Sequence, residues 1–246
     1  MKFFSILLLV IFPMIAFPQK ENVVPFKLIA RVNFPSYDAT GRCVYFQYQL
    51  EGKTIIDSVI IKNNLFSFSG KADVTVKAAL QFTRPNSSPE PESDPNLLSL
   101  YLSKGIINIH AEGNLGRAIV TGSHIQKEYI AFKKKYIKID RFVRVMGWHK
   151  RGLNTKDSLS LQSINSRIDS AQQVKRNDLA NFLDKNIKKP YAVEAILMYL
   201  KAGATAKDAP KAEHYFNAVS EDEKLSTDGR AVTKILNEFK GEDYSH

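Results

Sequence analysis

The hydrophobic period of this chain changes once, at Ser123, and that change dictates a two-part fold. Before it, apolar residues recur at every second position in short runs parted by turn residues; after it they recur every three or four. Residues 53–82 are the strongest of the early runs. Two stretches rich in Ile, Val and Phe flank Asn63-Asn64, a pair that tolerates positive φ, and this predicts a β-hairpin with a two-residue turn of the primed type. Phe66 and Phe68 share one face, Leu65, Ser67 and Ser69 the other, and Gly70 ends the run. Val74, Val76, Ala78 and Leu80 continue as a third strand within 73–82. The meander is expected at the centre of an antiparallel sheet that the later helices cover.

Further strands are expected at 26–33, at 43–50 with Val44, Phe46, Tyr48 and Leu50 on one face, around Leu98, Leu100 and Leu102, at 106–110 and at 117–121. Residues 84–96 carry four prolines and three acids, which reads as a solvated loop. The fold class is therefore α+β: an antiparallel β-sandwich or bent sheet of about eight short strands, followed by an α-helical C-terminal part.

After the N-cap candidate Ser123, the residues Ile125, Tyr129, Phe132, Tyr136, Ile139, Val143 and Met146 are spaced alternately four and three apart. That is one apolar stripe on a helix of about six turns, which Gly147 should stop. Trp148 follows, readable as an aromatic anchor at a membrane interface but expected rather to pack under the helix pair. A second helix is expected from Asp157 towards Lys189, with Leu161, Ile164, Ile168, Ala171, Leu179 and Leu183 inward, a break conceivable at Asn177 or Asp178, and Pro190 as its end. Shorter helices should occupy 191–201, 210–219 and 229–240, with a polar bend at 220–228.

Lys2 precedes the apolar run Phe3–Ala16, too short to span a bilayer and followed by Phe17-Pro18-Gln19. This is the layout of a secretory signal peptide. The expected division is 1–19 signal peptide, 20–122 β-rich domain and 123–246 α-helical region. The mature chain is expected to carry no transmembrane span, to cross the inner membrane and to reside in the periplasm or cell envelope.

The formal net charge is +10. Residues 123–190 hold 16 Lys and Arg against 6 Asp and Glu, so the whole excess lies in the helical segment. Lys133, Lys134, Lys135 and Lys138 fall off the apolar stripe and are the candidates for a weak polyanion contact. The partner would be an envelope protein or a polyanionic surface; nucleic acid is not expected for a secreted chain. Replacing Lys133, Lys134 and Lys135 together should weaken such binding and leave stability untouched.

Nothing in the sequence assembles a catalytic, cofactor-binding or metal site. The five histidines, at 110, 124, 149, 214 and 246, lie on separate elements. Cys43 is the sole cysteine, so no CxxC and no intrachain disulfide exist. Asp57-Ser58 sits mid-strand with no neighbour to activate the hydroxyl.

The order of several short motifs carries a resemblance. They are Ile56-Asp57-Ser58-Val59, then Asn63-Asn64-Leu65-Phe66-Ser67-Phe68-Ser69-Gly70, then Leu100-Tyr101-Leu102-Ser103-Lys104-Gly105 and Ile119-Val120-Thr121-Gly122-Ser123. Tyr215-Phe216-Asn217-Ala218-Val219-Ser220 and Thr227-Asp228-Gly229-Arg230 follow in the helical part. Over most of residues 24–240 the chain resembles the uncharacterised N-terminal domain that precedes a thioredoxin-like module in envelope thiol–disulfide oxidoreductases of Gram-negative anaerobes. The resemblance implies an envelope location and a scaffold or recognition role. It supplies no redox residues, because the module's CxxC has no matching positions here. Two functions are therefore expected: a non-catalytic envelope binding or scaffold module or, alternatively, the N-terminal accessory part of an oxidoreductase whose thioredoxin-like domain is missing or encoded separately.

Overall fold

The computed structural model describes residues 23–35, 38–51, 53–73, 76–82, 96–153 and 157–243; the expected signal peptide and the proline-rich loop before Asn96 lie outside them. The alternating part forms eight strands: β1 (Val23–Asn33), β2 (Cys43–Leu50), β3 (Lys53–Ile60), β4 (Leu65–Asp73), β5 (Lys77–Gln81), β6 (Leu97–Tyr101), β7 (Gly105–Glu112) and β8 (Ile119–Thr121). They make two four-stranded sheets, ordered β4-β1-β7-β8 and β3-β2-β5-β6. The sheets share one core. Phe26 of β1 meets Phe46 of β2 edge-on at 5.7 Å, and Phe46 lies 5.1 Å from Phe68 of β4. The period-two reading fixed which side chains enter this core: Val44, Phe46 and Tyr48 of β2 and Phe66 and Phe68 of β4 are all buried.

The meander over 53–82 is not the centre of either sheet. Asn63 and Asn64 do take positive φ (51° and 59°), and Lys62 and Leu65 exchange both backbone hydrogen bonds across them. The turn is of the expected primed kind, but the ladder stops at that single bridge. Beyond it β3 pairs with β2 in one sheet and β4 with β1 in the other, so the turn is a corner between two edge strands. Gly70 does not end β4, which runs on to Asp73. One pairing is parallel, β1 with β7, which brings distant segments together across the middle of its sheet.

The helical part comprises α1 (His124–Gly152), α2 (Ser158–Asn186), α3 (Ala192–Lys201), α4 (Ala209–Asn217), α5 (Glu221–Leu225) and α6 (Thr227–Asp243). Ser123 caps α1 by accepting from the Gln126 N–H, and Asp157 caps α2 by accepting from the Ser160 N–H. Gly147 does not stop α1. A lone glycine costs a helix only about 1 kcal/mol, and five further residues follow it in helical conformation. α2 runs unbroken through Asn177 and Asp178, and the expected bend at 220–228 contains α5, opened by a capping box between Ser220 and Glu223.

These helices do not blanket a sheet. They gather their own core, built on Tyr129, Phe132 and Tyr136 of α1, Leu179 and Leu183 of α2 and nearly all of α3, and the strands contribute Tyr101 to it. The expected stripe of α1 is thus buried against other helices. Its far half is thinly covered: beyond Tyr136 Met146 alone is buried, and it belongs to neither core.

Candidate binding surface on the first helix

Where strands and helices meet, the polar groups converge on Glu194, a residue of α3 only 3% exposed. Its carboxylate accepts from Tyr129 Oη (2.9 and 2.8 Å), from Lys133 Nζ at 2.5 Å and from Lys77 Nζ at 3.0 Å. Lys77, on β5, also donates to Asp228 of α6 at 2.9 Å. Close by, Tyr101 packs edge-on against Tyr129, and its backbone N–H donates to the buried Gln126 side chain. One carboxylate therefore joins β5, α1 and α3, and Lys77 extends the link to α6.

Burial opposes ionisation of Glu194, but Lys77 and Lys133 outweigh it and hold the carboxyl below its ordinary value. Burial likewise opposes the charge on Lys77, and Glu194 with Asp228 overcomes it, raising the ammonium well above the usual lysine range. Burial, reinforced by Glu194, drives the Tyr129 hydroxyl upward. At neutral pH each of these groups is locked in its resting form, as suits a clasp between two cores. Sequence reasoning overlooked Glu194 because nothing local distinguishes it; the one signal was a single acid inside the apolar run Ala192–Leu200.

The four candidate lysines do not act as one patch. Lys133 turns toward Glu194, and Lys135 binds Asp178 at 2.6 Å. Lys134 and Lys138 stay exposed on the outside of α1. Replacing Lys133 is therefore not neutral for stability, contrary to the sequence expectation, because it strips a buried carboxylate of a cation. Trp148 does not pack under the helix pair; it is 56% exposed, with the Arg144 guanidinium 5.9 Å from its ring centroid.

Both acids of α1, the half-buried Glu128 and the exposed Asp140, are paired with lysines of α2 or just beyond it. Glu128 accepts from Lys189 at 2.6 Å, and Asp140 from Lys175 at 2.5 Å. Apart from the paired Asp140, the exposed charges of α1 are cationic, among them Lys127, Lys134, Lys138, Arg141, Arg144, Lys150 and Arg151. At the N-terminal end of this face a shallow cleft of about 350 Å³ lies between β8 and α1, lined by Thr121, Gly122, His124, Lys127 and Ile130 among others.

Residues 31–129 match the model of a family described as a domain of unknown function, DUF4369. No curated protein matches the chain. The DUF4369 match begins within β1 and ends in the second turn of α1, so it takes in nearly all of the sandwich and stops at Tyr129, the residue that donates to Glu194. Most of the cationic face lies beyond it. Among the described residues no group of three or more His, Cys, Asp or Glu could hold a metal ion, and the described histidines stay apart. Cys43 is half-buried on β2.

The junction between the sandwich and α1 rests on Ser123. Its hydroxyl is buried, caps the helix and faces the Tyr101 carbonyl at 3.5 Å. Ser123→Ala is expected to lower stability by about 1 kcal/mol in urea unfolding, the usual worth of an N-cap oxygen. An unchanged midpoint would show that the cap contributes nothing net.

Proposed function

We propose that this protein is a binding or scaffold module of the cell envelope, with no chemistry of its own, that turns the outer face of α1 toward a polyanionic partner. One observation carries the reading: α1 has only two acids, each paired with a lysine, Glu128 with Lys189 and the exposed Asp140 with Lys175, so the unpaired charges along its exposed side are positive. Such a field attracts anions and repels cationic surfaces, and salt screens it. The envelope assignment rests on Lys2 and the apolar run Phe3–Ala16. No described helix is long and apolar enough to cross a membrane. A role beside a thioredoxin-like partner is the second reading, and the motif order in the sequence favours it.

The test is binding to dextran sulfate, a soluble polyanion, over a range of salt. Affinity should fall steeply from low to physiological ionic strength, and Arg141→Gln with Arg144→Gln should weaken it without moving the thermal midpoint. Absence of binding at low salt would refute the reading.

A further inference from the structure

The outer face of α1 is more than a scatter of charges. Lys127, Ile130, Lys134, Ile137, Arg141, Arg144 and Trp148 are spaced alternately three and four residues apart, and every one of them is exposed. They form a second stripe, on the side of the helix opposite the buried Tyr129, Phe132, Tyr136 and Met146. At 1.5 Å per residue it is about 32 Å long. Its apolar members are large and open to solvent: Ile130 is 42% exposed, Ile137 55% and Trp148 56%.

The geometry points to an anionic lipid surface as the occupant of this stripe, an inference that rests on the polyanion reading above and narrows it. Three facts decide between occupants. First, the cations and apolar side chains share one line, so whatever covers it must offer anions and apolar material at the same place. The headgroup and acyl boundary of a bilayer does so within about 5–10 Å of depth. Second, a partner helix would have to bury Lys134, Arg141 and Arg144 in its seam, which is costly unless each meets its own acid. A polyanionic glycan would satisfy the cations and leave Ile130 and Ile137 in water. Third, the stripe lies on the side of the helix away from the buried Tyr129, Phe132, Tyr136 and Met146, so docking requires no rearrangement of the core. Lys and Arg can bend their heads to phosphates while the isoleucines and the indole enter the boundary between them. The helix would lie along the surface, in keeping with the absence of a spanning helix among the described residues.

Trp148 is the sole tryptophan of the chain, so its fluorescence reports on this stripe alone. The full chain is titrated with vesicles of phosphatidylcholine alone, or mixed with phosphatidylglycerol, at physiological salt, alongside dextran sulfate. The expected result is a blue shift of Trp148 emission with the anionic vesicles only, together with protection from aqueous quenchers. Lys134→Glu with Arg141→Glu and Arg144→Glu should weaken binding by about 100-fold or more, each cation near such a surface being worth about fivefold. Ile130→Ser with Ile137→Ser should weaken it by about tenfold at low and physiological salt alike, because apolar burial is not screened. Neutral Gln variants of the three cations, with unchanged circular dichroism, should fall between. Binding to dextran sulfate with no shift on anionic vesicles would overturn the lipid inference and leave the polyanion reading intact. Binding to neither, with none to dextran sulfate even at low salt, would overturn both.

Discussion

Replacing Lys77 and Lys133 together by Met is expected to lower the unfolding free energy by about 3–5 kcal/mol, the cost of leaving a buried carboxylate without its cations. Glu194 is 3% exposed and cannot reach water, and Asp228 loses Lys77 in the same variant. Lys77, whose side chain is 27% exposed, should account for more of the loss than Lys133 at 38%. The opposite deletion should be milder. Glu194→Gln keeps a partner for Tyr129, leaves Lys77 on Asp228 and lets Lys133 turn to solvent, so about 1–2 kcal/mol is expected. Adding Glu194→Leu to the double variant should restore much of the lost stability, since an apolar residue removes the uncompensated charge.

The pH dependence has a definite sign. The Glu194 carboxyl is held below its ordinary value of 4.5, so its contribution is present above that pH and is lost as the pH falls through the folded value. The native protein should therefore lose stability on acidification in this range. In the double variant burial acts without the lysines and raises the carboxyl, so the contribution of Glu194 to the slope should reverse. Urea unfolding from pH 7 down to about pH 2.5 measures both. A double variant within 1 kcal/mol of the native protein, with the same acid slope, would mean that the clasp does not hold the two cores together.

Gly122→Ala should be the most damaging glycine substitution between the sandwich and α1. Gly122 has φ +91°, and an added Cβ would stand 2.1 Å from the Ile106 carbonyl oxygen. That oxygen belongs to the backbone of β7, which is paired on both sides and cannot yield without disturbing a ladder. Strained backbone and overpacking together predict a loss of about 2–4 kcal/mol. Gly113→Ala is the control: φ is also positive (+80°), but no atom lies within 4 Å of the new Cβ, so about 1 kcal/mol is expected. Equal losses would assign the effect to backbone conformation alone and refute the clash.

Local chemistry alone determined much of this protein. Alternation placed Phe46, Phe66 and Phe68 inward, because side chains of a strand point to opposite faces whatever it pairs with. Ser123 and Asp157 marked helix starts, since unsatisfied N–H groups call for a side-chain oxygen in any context, and Asn63-Asn64 specified its turn through backbone conformation. Partners were another matter. The same Asn-Asn turn serves a hairpin or a corner between sheets, and only the competition among all the strands sent β3 to β2 and β4 to β1. Glu194 and Lys77 are 117 residues apart, and no period relates a buried acid to a cation on a distant strand.

The helix stripes show the division most clearly. Both lines of α1, from Ile125 to Met146 and from Lys127 to Trp148, follow the same three-and-four spacing in the sequence. Periodicity says that a helix has such faces, and the richer apolar line is the one expected to be buried. Where α2 and α3 lie decided that Tyr129, Phe132 and Tyr136 pack against them, while Trp148, Ile137 and the cations between them face outward. Burial is a property of what stands opposite a side chain, and that is set only when the whole chain has folded.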